Sequence, residues 1–441
     1  MRLTKQHEQH RQRKHSRLGE AFIRSAAYER RFLAKSPWDL SMVIWIPLAT
    51  VLLIWWIFSQ IQITDLPIGV MDNDRGPIAN TAVRYLEANP NLTVKQLYYS
   101  PAAVEAALLQ RDIYAVVIIP EDFSRNISSG KPAPVVLQVN AQYGTHSGII
   151  QTSVQSVIGT LSAGVEIQRL VKQGVSPSQA AITYSPIGIQ RISLFNAATD
   201  YQQFLASTVI PALLHILAMV IGATTIGREL RDKRIGRWYR FIDGRRSDLT
   251  LPADNDVNHD TLNEPSNRPL TAPKDVSILV VLFGLLGKYF WPMLAYSFWA
   301  ILALWLAAPQ HTVAFSALIA TYVGLILLMM LSFWLGAIFT LTSFSLRMGL
   351  SSTGFISAPS YAFAGVTFPY IAISDSAKHW SDILPLTHYL KLHIAQLQMQ
   401  APVAISLPIV YGLAIAALLA MLVTALLSKR ALAHPERWGA R

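Results

Sequence analysis

The stretch YFWPMLAYSFWAILALWLAAPQHTVAFSALIATYVGLILLMMLSFWLGAIFTLTSFSL, residues Tyr289–Leu346, contains no Asp, Glu, Lys or Arg. A helix needs about 20 mainly apolar residues to cross the hydrocarbon of a bilayer. The run is far too long for one crossing, and PQHT at Pro309–Thr312 supplies a turn that divides it into two spans. Uncharged stretches on either side extend the pattern: Ser41–Thr64 around WIPLATVLLIWWIF, Tyr201–Gly227, the Gly/Pro-containing Met348–Ser374, and Leu392–Ser428. Together they predict an α-helical polytopic membrane protein with six transmembrane helices: 41–64, 201–227 and four more within 276–428. About 40 residues precede the first span, so it reads as an anchor; a cleavable signal has a short charged region before its apolar core.

Composition agrees. Of 441 residues 52% are hydrophobic and 14% charged, against about 25% charged in an ordinary soluble domain. Mean hydropathy is +0.34 and the formal net charge +11. Cysteine is absent, which removes disulfides, thiolate nucleophiles and Cys-based metal sites.

The basic residues set an expected orientation, because Lys/Arg-rich loops stay cytoplasmic. Residues 1–35 hold ten Lys/Arg against three Asp/Glu, residues 228–246 eight against three, and the tail 429–441 carries Lys429, Arg430, Arg437 and Arg441 against Glu436. Residues 65–200 hold nine against ten, and 375–391 two of each. Both termini are therefore expected inside, with 65–200 outside and the chain in a cell inner (plasma) membrane.

Segment 65–200 is long enough to be a domain with its own core. LPIGVMD, NLTVKQLYY, YAVVIIP and APVVLQVN read as strands, and PIANTAVRYLEAN and SPAAVEAALLQRD between them as helices, the second capped by Ser100 with Pro101 in its first turn. That alternation predicts an inserted α/β extracytoplasmic domain with a largely parallel sheet. Ile150, Val154, Val157, Ile158, Leu161, Val165 and Leu170 recur at helical spacing, so a long amphipathic helix follows over His146–Gly174. Within 228–275, GRELRDKRIGRWYR reads as an ordered charged helix and the Pro/Asn/Asp-rich remainder as disordered. VSILVVLFGLLGK (276–288) is read as a separate surface or re-entrant helix, residues 1–40 as a basic interfacial segment through LGEAFIRSAAYERRFLA, and 368–395 as an external re-entrant segment.

GLLGKY at Gly284–Tyr289 lacks the spacing and hydroxyl of a phosphate-binding loop, so the chain is not expected to be an ATPase. The six expected spans contain no Asp or Glu, which disfavours ion coupling. A transporter of this shape then draws its energy from a cytoplasmic partner at its inner loops, and the charged segment 228–240 is the expected contact.

Other features carry two readings. His215 is the ionisable residue of the second span, either involved in transport or a neutral imidazole bonded between helices. Asp72, Asp74 and Gly76 in MDNDRGP resemble the start of a calcium loop but lack its later ligands, and a turn with a helix cap explains them, so no metal site is expected. His388 and His393 are five apart and do not share a helical face as ligands. Trp55, Trp56 and Trp291 suit an aromatic belt, and HEQHRQRKH suits anionic lipid more than nucleic acid.

GVMDND, YAVVIIPEDFS, GRELRDKRIGRW, GKYFWP, SAPSYAFAGVTFP and LPLTHYL occur in this order, and with six spans the chain resembles the membrane subunits of type-2 ABC exporters that carry a large domain between the first two spans. The resemblance covers nearly the whole chain; it departs in a longer insert near 247–275 and in RWY after Gly236. It implies a permease moving a hydrophobic or amphipathic compound outward, paired with a second copy or a related permease and with cytosolic ATPase subunits that hold ATP and Mg, a periplasmic adaptor and membrane lipids being further partners. By the same resemblance Arg228, Glu229, Arg231, Arg234 and Gly236 belong to the coupling segment. Phe363, Gly365, Phe368 and Pro369 lie near an external gate, and Pro385, Thr387 and His388 in short helices before the last span. The alternative from another class is a membrane-anchored extracytoplasmic ligand-binding or scaffold protein.

Overall fold

The structure, a computed structural model, describes residues 2–59, 63–184, 195, 200–244, 275–308 and 313–439, with side chains from residue 17 onward. The turn expected at Pro309–Thr312 and the disordered segment expected near 247–275 lie outside the described residues, apart from Asp275. The chain divides into two compact units, residues 60–194 and the remainder.

The larger unit is helical. It begins with α1 (Arg2–Lys35), α2 (Pro37–Val43) and α3 (Trp45–Ile57). α2 and α3 form one apolar element bent by 40°. Pro47 has no amide hydrogen, so the carbonyl of Val43 four residues earlier loses its helical partner. Trp299 Nε1 donates to that oxygen at 3.0 Å, and Tyr296 donates to the neighbouring Met42 carbonyl at 3.4 Å. A break in an apolar helix is tolerated where neighbouring side chains satisfy the freed backbone in this way.

The smaller unit holds β1 (Leu66–Asp72), α4 (Pro77–Glu87), β2 (Leu92–Leu97), α5 (Pro101–Leu109), β3 (Ala115–Ile119), α6 (Phe123–Ser128), β4 (Val136–Val139), α7 (Gly144–Lys172) and α8 (Pro177–Tyr184). Its sheet runs β2-β1-β3-β4, with β1 parallel to β2 and β3 and with β4 antiparallel to β3. Ile68 and Val70 of β1 and Val117 and Ile119 of β3 are buried on one face with Ala79, Ala82 and Leu86 of α4 and Ile150, Val154, Val157 and Leu161 of α7. Ser100 accepts the amide of Ala103 at 3.3 Å and caps α5. Asp72 accepts the amides of Asp74 and Arg75 at 3.0 and 2.9 Å, and Asp74 accepts those of Gly76 and Ser124 at 3.0 and 3.1 Å, so both carboxylates of MDNDRGP serve turns and helix starts.

The helical unit continues with α9 (Ser207–Arg231), preceded by a π-turn from Gln202, then α10 (Ile235–Ile242), α11 (Ile278–Ala307), α12 (Phe315–Ser343), α13 (Leu346–Ser357), α14 (Ser360–Phe363), α15 (Asp375–Ile383), α16 (Pro385–His393) and α17 (Val403–Ala433). Among the described residues Gln202–Arg231, α11, α12 and α17 are long and apolar enough to cross a membrane, and the α2/α3 pair makes a fifth. Two expectations need correction. VSILVVLFGLLGK is no separate helix: its residues from Ile278 form the first turns of α11, where Lys288 finds buried partners and gives the chain no reason to break. Met348–Ser374 is not one spanning helix either, for α13 and α14 are separated at Ala358–Pro359 and the chain then turns at Gly365, whose φ of +78° is the left-handed region that favours glycine.

α9 and α12 set the unit's centre. A Cβ on Gly222 would overlap the carbonyl oxygen of Phe333, and one on Gly336 would overlap that of Met219, so the two backbones touch through glycine, as small residues permit between apolar helices.

Candidate functional site

The last turns of α9 carry Arg228 and Glu229, and both side chains point inward, at 5% and 2% exposure. They meet Glu29 from α1 and Lys288 from α11, each fully buried. Lys288 Nζ donates to Glu229 Oε1 at 2.8 Å and to Glu29 Oε2 at 3.3 Å. Arg228 Nη2 donates to the other oxygen of Glu29, and Nη1 reaches Asp39 of α2 at 3.4 Å. Aromatic faces enclose the cations: Arg228 lies 3.8 Å from the ring centre of Phe32, and Lys288 lies 4.7 Å from Tyr28 and 5.6 Å from Trp238. Burial, with the Glu229 carboxylate alongside, holds the Tyr28 hydroxyl well above its usual range, so it stays neutral.

This cluster ties four elements at one end of the helical unit. Charges taken out of water persist only when paired and hydrogen-bonded. The local sequence supports the arrangement: Ala21, Ser25, Ala26 and Tyr28 form the buried face of α1, Ser25 accepts Trp238 Nε1 at 3.1 Å, and Ala26 offers its carbonyl to Trp291 Nε1 at 2.9 Å. The segment LGEAFIRSAAYERRFLA is helical, and one of its faces packs on protein.

Beyond Glu229 the chain reverses, so the single charged helix expected over 228–240 is instead divided between the end of α9 and the first turns of α10. Lys233 adopts φ +55°, and the amide of Arg234 returns to the Glu229 carbonyl at 2.7 Å, closing α9. Arg231, Asp232 and Lys233 at this tip are exposed, Arg231 paired with Asp232 at 2.8 Å, and Arg237 is exposed one turn into α10. Arg234 is half-buried. Gly236 faces inward, where a Cβ would come 2.6 Å from the Trp438 ring, whose Nε1 donates to Ala431 at 2.7 Å. Of the five residues expected at the coupling segment, Arg231 and Arg234 thus reach solvent, Arg228 and Glu229 belong to the buried cluster, and Gly236 admits the C-terminal Trp438.

The second set of expected residues lies toward the other end of α9. Thr208 in its first turn bonds the Tyr361 hydroxyl of α14 at 2.8 Å. Ser381 donates to the carbonyl of Phe363 at 2.8 Å, and His388 Nε2 bonds the carbonyl of Asp382 at 2.7 Å. Thr387 is fully buried and its hydroxyl has no hydrogen-bond partner among the described residues, while Phe368 and Pro369 are exposed just after the turn at Gly365. Pro385 opens α16. Phe363, Pro385, Thr387 and His388 therefore gather about α14–α16. His215 sits between these ends at 1% exposure, 2.6 Å from Ser332 Oγ. Ser332 itself donates to Leu328 at 2.6 Å, which leaves its oxygen to accept from His215 Nδ1–H. The imidazole joins α9 to α12.

The 25 residues of α9 span about 37 Å at 1.5 Å per residue, so the charge cluster and the Tyr361 group stand about a bilayer apart on one rigid helix.

Residues 37–243 match the model of the ABC-2 family transporter proteins. Over those residues, a little under half of its length, the chain is similar to the ABC-2 family transporter proteins. The match takes in Asp39, His215, Arg228, Glu229, Arg231, Arg234 and Gly236. Among solved structures, the chain is similar to a domain of a candidate ABC type-2 transporter from Thermotoga maritima, at 20% identity over 28% of this chain and 81% of that one, with a TM-score of 0.21. No curated protein matches. The ABC-2 family supplies membrane components of ABC transporters, normally non-enzymatic and partnered by an ABC ATPase subunit.

Glu29 and Lys288 escaped the sequence reading. Lys288 had left a signal, since it is the one Asp, Glu, Lys or Arg between Asp275 and Arg347. Glu29 had left none among the surrounding charges of residues 1–35.

Proposed function

We propose that this chain is the permease subunit of an ATP-driven ABC-2 exporter, moving a hydrophobic or amphipathic compound outward across a bacterial-type inner membrane. Both termini face the cytoplasm, six crossings include the bent α2/α3 pair and the broken stretch after Arg347, and residues 65–200 stand outside. The single observation that carries the reading is the charged tip Arg231–Lys233, rooted through Glu229 and Arg228 in a buried cluster. A push on that tip is delivered to α1, α2, α9 and α11 together, and α9 carries it to Tyr361 and the gate residues Phe363, Gly365, Phe368 and Pro369. A second permease copy or relative completes the pathway, and separate ATPase subunits bind ATP and Mg.

The test is purification of the tagged chain from native membranes, identification of the co-purifying subunit and assay of ATP hydrolysis and efflux. A stoichiometric ATPase, lost when Arg231, Lys233 and Arg237 are changed to Glu in a protein of unchanged thermal stability, is the expected result. A chain that purifies alone and inert from membranes in which other ABC complexes stay whole overturns the proposal. It moves the anchored ligand-binding reading ahead, with the groove of about 550 Å³ between α6 and α7 as the place to look.

A further inference from the structure

We propose that the groove between α1, the α2/α3 bend and α11 binds one anionic glycerophospholipid, its phosphate held by Arg30 and an acyl chain lying along α11. The groove encloses about 510 Å³ and its walls are Leu33, Leu40, Val43, Leu294 and Phe298, with Trp291 and Arg30 at one end. Among the described residues no acidic side chain lines it. Arg30 is exposed, stands 6.0 Å from the Trp291 ring centre and has no carboxylate partner among the ion pairs of the described residues. Its neighbour Glu29 turns the other way, into the buried cluster. One position of α1 thus closes the protein's own charge network while the next presents a cation at the mouth of an apolar slot.

The rest of the ligand follows from α11. Leu294, Phe298, Ile301 and Trp305 are exposed, at 52, 61, 53 and 73%, and their spacing of four, three and four puts them on one helical face. From Leu294 to Trp305 that face runs about 16 Å, close to one leaflet of a hydrocarbon core about 30 Å thick. Arg and Trp at one end and a second Trp at the other delimit a strip one acyl chain long. A free phosphate has no use for the strip, and a zwitterionic phospholipid brings a phosphate whose charge its own headgroup cation offsets; an anionic phospholipid brings both the acyl chain and an unbalanced negative charge for Arg30. Arg31 is exposed too but does not line the groove, so it reports general attraction to a charged membrane and not the site. The inference stands apart from the transport reading, since the groove is formed within one chain whatever the transporter moves.

The experiment is native mass spectrometry of the full-length chain extracted from nanodiscs of equal phosphatidylglycerol and phosphatidylcholine, counting the lipid retained. The expected result is one retained phosphatidylglycerol in clear excess over phosphatidylcholine. R30Q lowers that retention about fivefold, the size of one cation's attraction to anionic lipid, while R31Q leaves it within twofold. Ala295→Phe, which fills the groove, lowers retention of both lipids; if it does not fold, Arg30 and Arg31 still decide. Equal retention of the two lipids by the unaltered chain, or equal losses in R30Q and R31Q, overturns the proposal.

Discussion

Lys288 donates to Glu229 across 2.8 Å, joining the early turns of α11 to the last turn of α9. With Glu29 on the other side of the ammonium, the pair fixes where α1 lies on both helices. Removing one partner from a buried pair leaves the others charged and unsolvated, a cost of about 3–5 kcal/mol. Lys288→Met therefore sharply lowers the thermal unfolding temperature in detergent. Adding Glu229→Gln recovers part of the loss, because the second carboxylate no longer lacks a cation. If the double variant is no more stable than Lys288→Met, Glu229 does not depend on Lys288.

The same burial separates Glu229 from the tip beyond it. Glu229→Arg places a like charge beside Lys288 and Arg228, so its first effect is loss of folded protein in the membrane. Arg231→Glu acts on an exposed side chain, where surface substitutions stay within about 0.5 kcal/mol, and it lowers ATPase binding while the unfolding temperature holds. Size-exclusion profiles and pull-down of the ATPase on both variants distinguish the two; normal folding of Glu229→Arg would count against the cluster.

How far the sequence speaks depends on what must be seen. Runs of β-branched residues located β1 and β3, and Ser100-Pro101 located the start of α5, because those signals lie within a few residues of each other. The apolar runs fixed α9, α12 and α17 for the same reason. Lys288 shows the limit: a charge in an apolar stretch marks either the end of a helix or a buried partner, and the partner, Glu29, lies 259 positions away. A reading by local composition chose the helix end. The turn at Gly365 hid similarly, since Gly and Pro in Met348–Ser374 fit a kinked span as well as α13 and α14 separated by a break. Gly236 was legible, through the family resemblance, as part of the coupling segment but not as the seat of Trp438.

His215 tests whether an ionisable group in an apolar helix serves transport or packing. Its bond to Ser332 joins α9 to α12, and interhelical bonds of this kind contribute about 0.6 kcal/mol, at most about 1.7. His215→Ala, Ser332→Ala and the double variant form a cycle, with unfolding temperature and efflux both measured. A packing role predicts that the double variant costs less than the sum of the singles, with efflux following the amount of folded protein. Efflux lost in His215→Ala at full stability would assign the imidazole to transport.

The contact of α9 with α12 gives the sharpest steric prediction. A Cβ on Gly222 would overlap the Phe333 carbonyl oxygen, and one on Gly336 would overlap the Met219 carbonyl oxygen and lie 2.8 Å from the Ala223 nitrogen. Those atoms are backbone and have no rotamer to yield, so the helices themselves must part. Overpacking of this kind costs about 1–3 kcal/mol, and parting also lengthens the bond from the Tyr289 hydroxyl to the Gly222 carbonyl, now 2.8 Å. Gly222→Ala and Gly336→Ala each lower the unfolding temperature, whereas Gly412→Ala, where a Cβ meets nothing within 4 Å, leaves it unchanged or slightly raised. Equal behaviour of the three variants would show that α9 and α12 do not meet backbone to backbone.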